Sequence, residues 1–339
     1  MNVKEKIDAL STLGDELKQK PQWLEEAIQR AYLENAWFTP ENSWNSIISI
    51  ANEFLSKDKL IDWTNHYNIP EDVSQKTIGL ILAGNLPLVG FHDVLCVLLS
   101  GHKAMIKMSS KDQILVERIL GRLMEIEPAF ENEITFVERL GGFDAVIATG
   151  SNNSSRYFES YFEKYPNIIR KNRTSVAVLT GDETDEDLIE LGKDIFSYYG
   201  LGCRNVSKIY APVGFEVTRL MEVLHNHYKE IVNHNKYMNN YDYNYALFML
   251  NKEKFLMNGG LLLRESSDFT SRIASVNIEY YSKIEQVEKD LLDNKGQLQC
   301  VVSKKDLGDI QTFELGKAQE PELMDYADGV DTMAFLMGL

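Results

Sequence analysis

From residue 77 onward, short apolar runs alternate with longer amphipathic stretches. Residues 77–83 (TIGLILA), 103–108 (KAMIKM), 134–137, 145–149 (AVIAT) and 175–179 (SVAVL) are too short for helices. Their mostly apolar character predicts strands buried on both faces. Between them, residues 88–99, 113–125, 154–165 and 182–199 carry apolar positions at helical spacing. In the last of these, Leu188, Leu191, Ile195, Phe196 and Tyr199 share one side, and Gly200 is placed to end the helix. Strands alternating with helices of this length predict βαβ units and a parallel sheet. Right-handed crossovers bring all the strand C-terminal ends to one edge, where ligands of such sheets bind. The loops at that edge are residues 83–86, 108–111 and 149–153.

The flanking regions read differently. Residues 1–70 are polar and helical, with Trp23, Ala27, Ala31 and Trp37 at helical spacing. Asn42 or Ser43 is the expected cap of a helix that includes Ile47, Ile50, Ala51 and Phe54. This region carries no catalytic motif and reads as a cover or interaction surface. Beyond Cys203, residues 208–211 predict a strand stopped by Pro212, residues 215–233 and 241–250 helices, and 285–292 a further helix. Strands are expected at 261–263, 275–281 and 298–303. This is a second α/β domain, and the apolar segment 328–339 is expected to dock on the rest. The organisation read from sequence is therefore a helical region 1–70, a dinucleotide-binding domain 71–200, a catalytic domain 201–315 and a docking segment 316–339. A length of 339 residues suits about two domains.

Residues 78–99 have the length of a membrane span, but Gly84-Asn85, Pro87 and His92-Asp93 interrupt them. A strand, a turn and a buried helix account for the run better, so no integral membrane segment is expected. The 35 Lys and Arg against 51 Asp and Glu leave a net charge of −16, which disfavours a nucleic-acid partner. Three cysteines are too few for a disulfide framework and fit a reducing compartment. With no signal peptide in the first 20 residues, the expected location is the cytoplasm.

Neither a G-x-G-x-x-G fingerprint, nor a phosphate-binding G-x-x-x-x-G-K loop, nor a G-x-S-x-G elbow occurs. The six histidines and three cysteines show no metal-binding spacing, and no metal is expected. Cys203 lies in GLGCRN at 200–205, where the glycines allow close approach of a substrate and Arg204 could favour the thiolate. On local sequence alone, a buried apolar cysteine outweighs a nucleophile there. Cys96 and Cys300 sit in apolar runs and read as buried. Asn85, between a buried strand and Pro87, is either a turn former or a side-chain donor to an oxyanion.

Four segments in order carry a resemblance: NLPL at 85–88, GHKAMIKMSSKD at 101–112, ATGS at 148–151 and GLGCRNVSKIYAP at 200–212. Their order and spacing resemble the aldehyde dehydrogenase superfamily. More closely, AGNLPLVGFHDVLCVLLSGHKAMIK and the tail KAQEPELMDYADGVDTMAFL resemble the LuxC-type acyl-CoA reductases. The resemblance spans about residues 75–339. It implies an aldehyde dehydrogenase-like α/β fold, with a parallel-sheet cofactor domain and a second α/β catalytic domain.

The resemblance also implies roles. Cys203 becomes the nucleophile and Asn85 an oxyanion donor, together with the backbone N–H of Cys203. Lys107 and Ser109 are expected to hold the adenosine end of the cofactor, and Gly150 and Ser151 to lie near its pyrophosphate. Two departures from the superfamily pattern matter. Residues 170–175 carry no Glu where hydrolytic members activate water, which suits reduction of a thioester. Ser110 and Lys111 stand where NAD-specific members place a carboxylate, which favours NADPH over NADH. With so acidic a chain, Lys107 and Lys111 are the first cations to consider for an anionic ligand. The implied activity is NADPH-dependent reduction of an acyl-CoA, of fatty acyl type, through a cysteine acyl-enzyme. The alternatives are an acyl phosphate reductase, or an acyl transferase or carrier with no hydride step. A homo-oligomer is a further expectation of the resemblance.

Overall fold

The computed structural model describes residues 1–67, 69–70 and 74–339. The chain forms two compact units, Met1–Asn172 with Pro321–Leu339, and Arg173–Glu320.

In the first unit, the buried apolar runs become five strands: β1 (Thr77–Ile81), β2 (Lys103–Lys107), β3 (Ile134–Phe136), β4 (Ala145–Thr149) and β5 (Asn167–Arg170). They form one parallel sheet in the order β3-β2-β1-β4-β5. β5 escapes the sequence reading because it begins right after Pro166 and has only two apolar residues, Ile168 and Ile169, between polar ends. The apolar run 78–99 divides as expected into β1, a turn and the helix Phe91–Leu99. Its Asp93 is buried in an ion pair with Arg170 at the end of β5, and Arg170 also donates to Thr332 Oγ1 at 2.7 Å. No helix among the described residues is long and apolar enough to cross a membrane.

The N-terminal helices Val3–Lys18, Gln22–Glu34, Pro40–Ser49 and Lys57–Tyr67 pack into the same core as this sheet, through Leu10, Leu13, Leu24, Ile28, Ile47 and Leu60. Thr39 caps the third of them, with Pro40 in its first turn, instead of Asn42 or Ser43. Proline suits that position because its missing N–H has no partner there anyway. Lys6 is buried, and its Nζ contacts the Leu98 carbonyl oxygen and Glu133, both at 2.7 Å. The C-terminal segment returns to this unit. Tyr326 accepts from Trp63 Nε1 at 2.8 Å, and Met333 and Leu336 of the helix Thr332–Met337 are buried in the core.

The second unit holds β6 (Thr174–Val178), β7 (Val206–Pro212), β8 (Phe255–Met257), β9 (Leu262–Glu265), β10 (Ser275–Tyr281) and β11 (Leu298–Val302). Their order is β11-β6-β7-β10-β9-β8, parallel except for the antiparallel pair β8 and β9. Because β6 hydrogen-bonds β7 and β11, residues 173–200 lie with Cys203, although the sequence reading groups them with 71–200. The other end of that stretch, residues 71–73, lies outside the described residues.

The helix expected over 182–199 spans Asp185–Phe196. Gly200 does not end it alone. Tyr198, Tyr199 and Gly200 all take left-handed φ values, of 51°, 59° and 74°. Two consecutive tyrosines in that region store backbone strain. The helix expected over 215–233 ends at Tyr228 and continues as a tighter turn, Lys229–Asn233, and the helix expected from 241 begins at Asn235.

Candidate active site

All five strands of the first sheet are parallel, so one edge collects their C-terminal ends. Asn85, Lys107, Ser109, Lys111, Gly150 and Ser151 all lie at that edge. The strand order reverses direction between β1 and β4, which is the switch point where such sheets bind ligands.

A cleft of about 580 Å³ opens where β1, β2 and β3 end. Ile81, Leu82, Phe136 and Val137 give it apolar walls, and Lys107, Ser109, Ser110 and Gln113 line it with polar groups. Glu117 and Glu138 line it too, and the sequence reading assigned them nothing. Their signal is weak in sequence, because a Glu on a helix face and another after a strand are ordinary exposed residues. Lys111 lies on the same loop but outside the cleft walls, with its carbonyl oxygen accepting from Asn35 Nδ2 at 3.3 Å.

Asn85 is exposed in the turn after β1. Gly84 precedes it because no side chain fits there: a Cβ would stand 2.4 Å from Ser109 Oγ. After it, Ser46 Oγ donates to the Pro87 carbonyl at 2.7 Å, and Leu88 takes φ 59°. Leu88 N–H donates to Asp112 Oδ2 at 2.6 Å. Burial pushes the Asp112 carboxyl well above its ordinary range, with the Leu88 N–H opposing that shift.

Gly150 and Ser151 lie at the end of β4, across β1 from the cleft and not in its walls. Ser151 caps the helix Asn152–Phe162 by accepting from Ser154 N at 3.2 Å. Gly150 lets that helix approach, since a Cβ would meet Phe158 at 2.8 Å. A helix N-terminus at a strand end offers free N–H groups to an anion.

In the second unit, Cys203 is exposed in a turn ahead of β7 and Cys300 is buried, and Cys96 is buried in the first unit. Asn205 ties this turn together. Its Oδ1 accepts from Gly202 N at 2.8 Å, while its Nδ2 donates to the carbonyls of Asp194 at 3.0 Å and Ser197 at 2.8 Å. Ser175 Oγ donates to the Cys203 carbonyl at 2.8 Å. Arg204 donates to Cys300 Sγ at 3.3 Å and to the Ala318 carbonyl at 3.2 Å. Burial, and then the charge of Asp93, push the Cys96 thiol up, away from the reactive thiolate. An exposed thiol on a braced turn is the one of the three that an electrophile in solution can reach. Among the described residues, no group of three or more His, Cys, Asp or Glu is arranged to hold a metal ion.

A protein-family model described as acyl-CoA reductase (LuxC) matches residues 49–308. No curated protein matches the sequence. Among solved structures, the chain is similar to aldehyde dehydrogenase 21 from Physcomitrella patens, solved with the reaction product succinate. The TM-score is 0.69 at 12% identity, over 100% of this chain and 84% of that one. An aldehyde dehydrogenase of Mycobacterium tuberculosis complexed with NAD+ gives 0.63 at 13%, over 85% and 70%. A 3,6-anhydro-L-galactose dehydrogenase in complex with NAP gives 0.65 at 13%, over 93% and 79%. At these identities the structural likeness establishes the fold, which is aldehyde dehydrogenase-like.

Proposed function

The chain belongs to the acyl-CoA reductase (LuxC) family, and on that premise we propose that it reduces an acyl-CoA thioester, of fatty acyl type, to the aldehyde. Family and fold together support an oxidoreductase acting on acyl or aldehyde groups. The observation that carries the finer reading is the exposed Cys203 in its braced turn, at the place where the family's pattern puts the nucleophile.

In the proposed reaction, the Cys203 thiolate attacks the thioester carbonyl carbon. The oxyanion accepts an N–H bond from the Cys203 backbone, and the family's pattern assigns Asn85 as a further donor. As it collapses, the bond to the CoA sulfur breaks and CoA leaves as a thiolate, which takes a proton from water. The acyl group now sits on Cys203 as a thioester. A nicotinamide dinucleotide, when bound, supplies hydride to that acyl carbon. The second oxyanion uses the same donors, and its collapse breaks the bond to Cys203 Sγ, releasing aldehyde and thiolate. Residues 170–175 present no carboxylate to activate water, which favours hydride over hydrolysis.

The cofactor's adenosine end fits the cleft of Lys107, Ser109 and Ser110, and its pyrophosphate suits the Gly150-Ser151 helix start. With Ser110 in place of a carboxylate and Lys107 in the wall, NADPH is the proposed form. The test is to mix the protein with an acyl-CoA series and NADPH, following nicotinamide absorbance and aldehyde. Turnover at some chain length supports the reading, and none at any length from enzyme that binds NADPH overturns it.

A further inference from the structure

Asp112 stands at the N-cap of the helix Gln113–Ile126, where an aspartate ordinarily turns back to accept from its own helix. It makes no such bond. Its buried carboxyl reaches instead to Leu88 N–H at 2.6 Å, and its Oδ1 has no hydrogen-bond partner among the described residues. Leaving a helix start uncapped while burying a carboxyl oxygen is costly, so the Leu88 contact must matter more locally than the cap. Leu88 needs such a hold, because it is a bulky residue in the left-handed region.

The same loop touches the other side of the turn. Ser109 Oγ occupies the space a Cβ on Gly84 would take, Asp112 N donates to the Ser109 carbonyl at 3.1 Å, and Lys111 N donates to Ser109 Oγ at 3.3 Å. Gly84 and Leu88 bracket Asn85, and Ser109 also lines the cleft.

We propose that Asp112 is a positioning residue: through Leu88 and Ser109 the cleft loop grips the turn on both sides of Asn85, so that a dinucleotide seated against Ser109 fixes the Asn85 amide. This inference rests on the reading of Asn85 as an oxyanion donor and of the cleft as the dinucleotide site. Burial pushes the carboxyl of Asp112 above its ordinary range, with the Leu88 N–H opposing that shift.

The test is hydrogen exchange of the segment 84–90 in the 339-residue chain, with and without NADPH or NADH, together with a kinetic cycle. In the wild type, dinucleotide slows exchange of this segment about tenfold. Asp112→Ala binds dinucleotide within about threefold but loses that protection, and its kcat falls about tenfold with KM for acyl-CoA little changed. Asp112→Asn, which keeps an acceptor for Leu88 N–H, restores both. On an Asn85→Ala background, Asp112→Ala costs nothing further. Dinucleotide binding without protection of the turn overturns the inference, as does a fully additive Asp112→Ala loss on Asn85→Ala. If no dinucleotide binds, or Asn85→Ala keeps full turnover, the functional reading itself has failed, and the experiment separates the two.

Discussion

The hydroxyl of Ser175 joins two cysteines: it donates to the Cys203 carbonyl at 2.8 Å and accepts from the Cys300 N–H at 3.1 Å. A serine hydroxyl can donate and accept at once, so both bonds are satisfied by one buried side chain. The effect is to pin the backbone of the Cys203 turn to β6 and β11. Ser175→Ala leaves the Cys300 N–H and the Cys203 carbonyl without that partner, and about 1–3 kcal/mol of stability should go with them. Urea unfolding measures the loss, and the rate of iodoacetamide reaction at Cys203 reads the turn directly. A variant with unchanged stability and alkylation rate would show that the turn's other contacts suffice to hold it.

Acylation can be separated from reduction. Incubated with an acyl-CoA and no dinucleotide, the wild type should gain one acyl group, seen by intact mass and removed by hydroxylamine. Cys203→Ala should gain none. Cys96→Ala should label like the wild type, because the Cys96 thiol is buried and pushed up. Labelling that survives in Cys203→Ala places the nucleophile elsewhere.

Asp194 links pH to the stability of the second unit. Its Oδ2 accepts from Gly316 N at 2.6 Å and its Oδ1 from Ala318 N at 3.0 Å, yet burial pushes the carboxyl from 3.8 up to about 6. The folded state therefore binds this proton more tightly than the unfolded chain. Its contribution is fully present below the unfolded value and is lost as pH rises through the folded one. At full extent that is about 3 kcal/mol, lost between about pH 4 and 6. Urea midpoints at pH 5 and 7.5 should differ less in Asp194→Asn than in the wild type. An equal difference in both would assign the pH dependence to other groups.

How much of this was legible in the sequence depends on the scale of the signal. β4 and β10 are read to the residue, because β4 (AVIAT) is written in consecutive apolar positions and β10 (SVNIEYY) in β-branched and aromatic residues alternating with polar ones. β5 (NIIR) has only two apolar residues between polar ends, and β8 (FLM) is a mostly exposed antiparallel edge strand, so neither shows the pattern of a buried strand. Cys203 and Asn85 stand out because glycine and proline mark their turns. Ser175, Asp112 and Glu138 do not, because their significance lies in partners distant along the chain. Ser175 meets Cys300 across 125 positions, and Asp112 meets Leu88 across 24. The grouping of residues 173–200 with Cys203 is similarly invisible until β6 is seen to pair with β7.

Glu138 offers a test of the cleft's charge. It lines the same space as Lys107, on the loop after β3, and Glu117 adds a second carboxylate from the helix after β2. A ribose diol is neutral and accepts hydrogen-bond partners of either charge, whereas a 2′-phosphate is repelled by a carboxylate and attracted by a lysine. Both Glu138 and Lys107 lie at the protein surface or only partly buried, so solvent screens each of them. Glu138→Gln should therefore tighten NADPH by about threefold and leave NADH unchanged, while Lys107→Met should weaken NADPH more than NADH. Dinucleotide titrations at low and high salt measure both, and the difference between the two dinucleotides should shrink as salt is added. If Glu138→Gln alters NADH and NADPH equally, Glu138 does not face the 2′ position. The adenosine end would then have to sit further along the edge, towards Gly150 and Ser151.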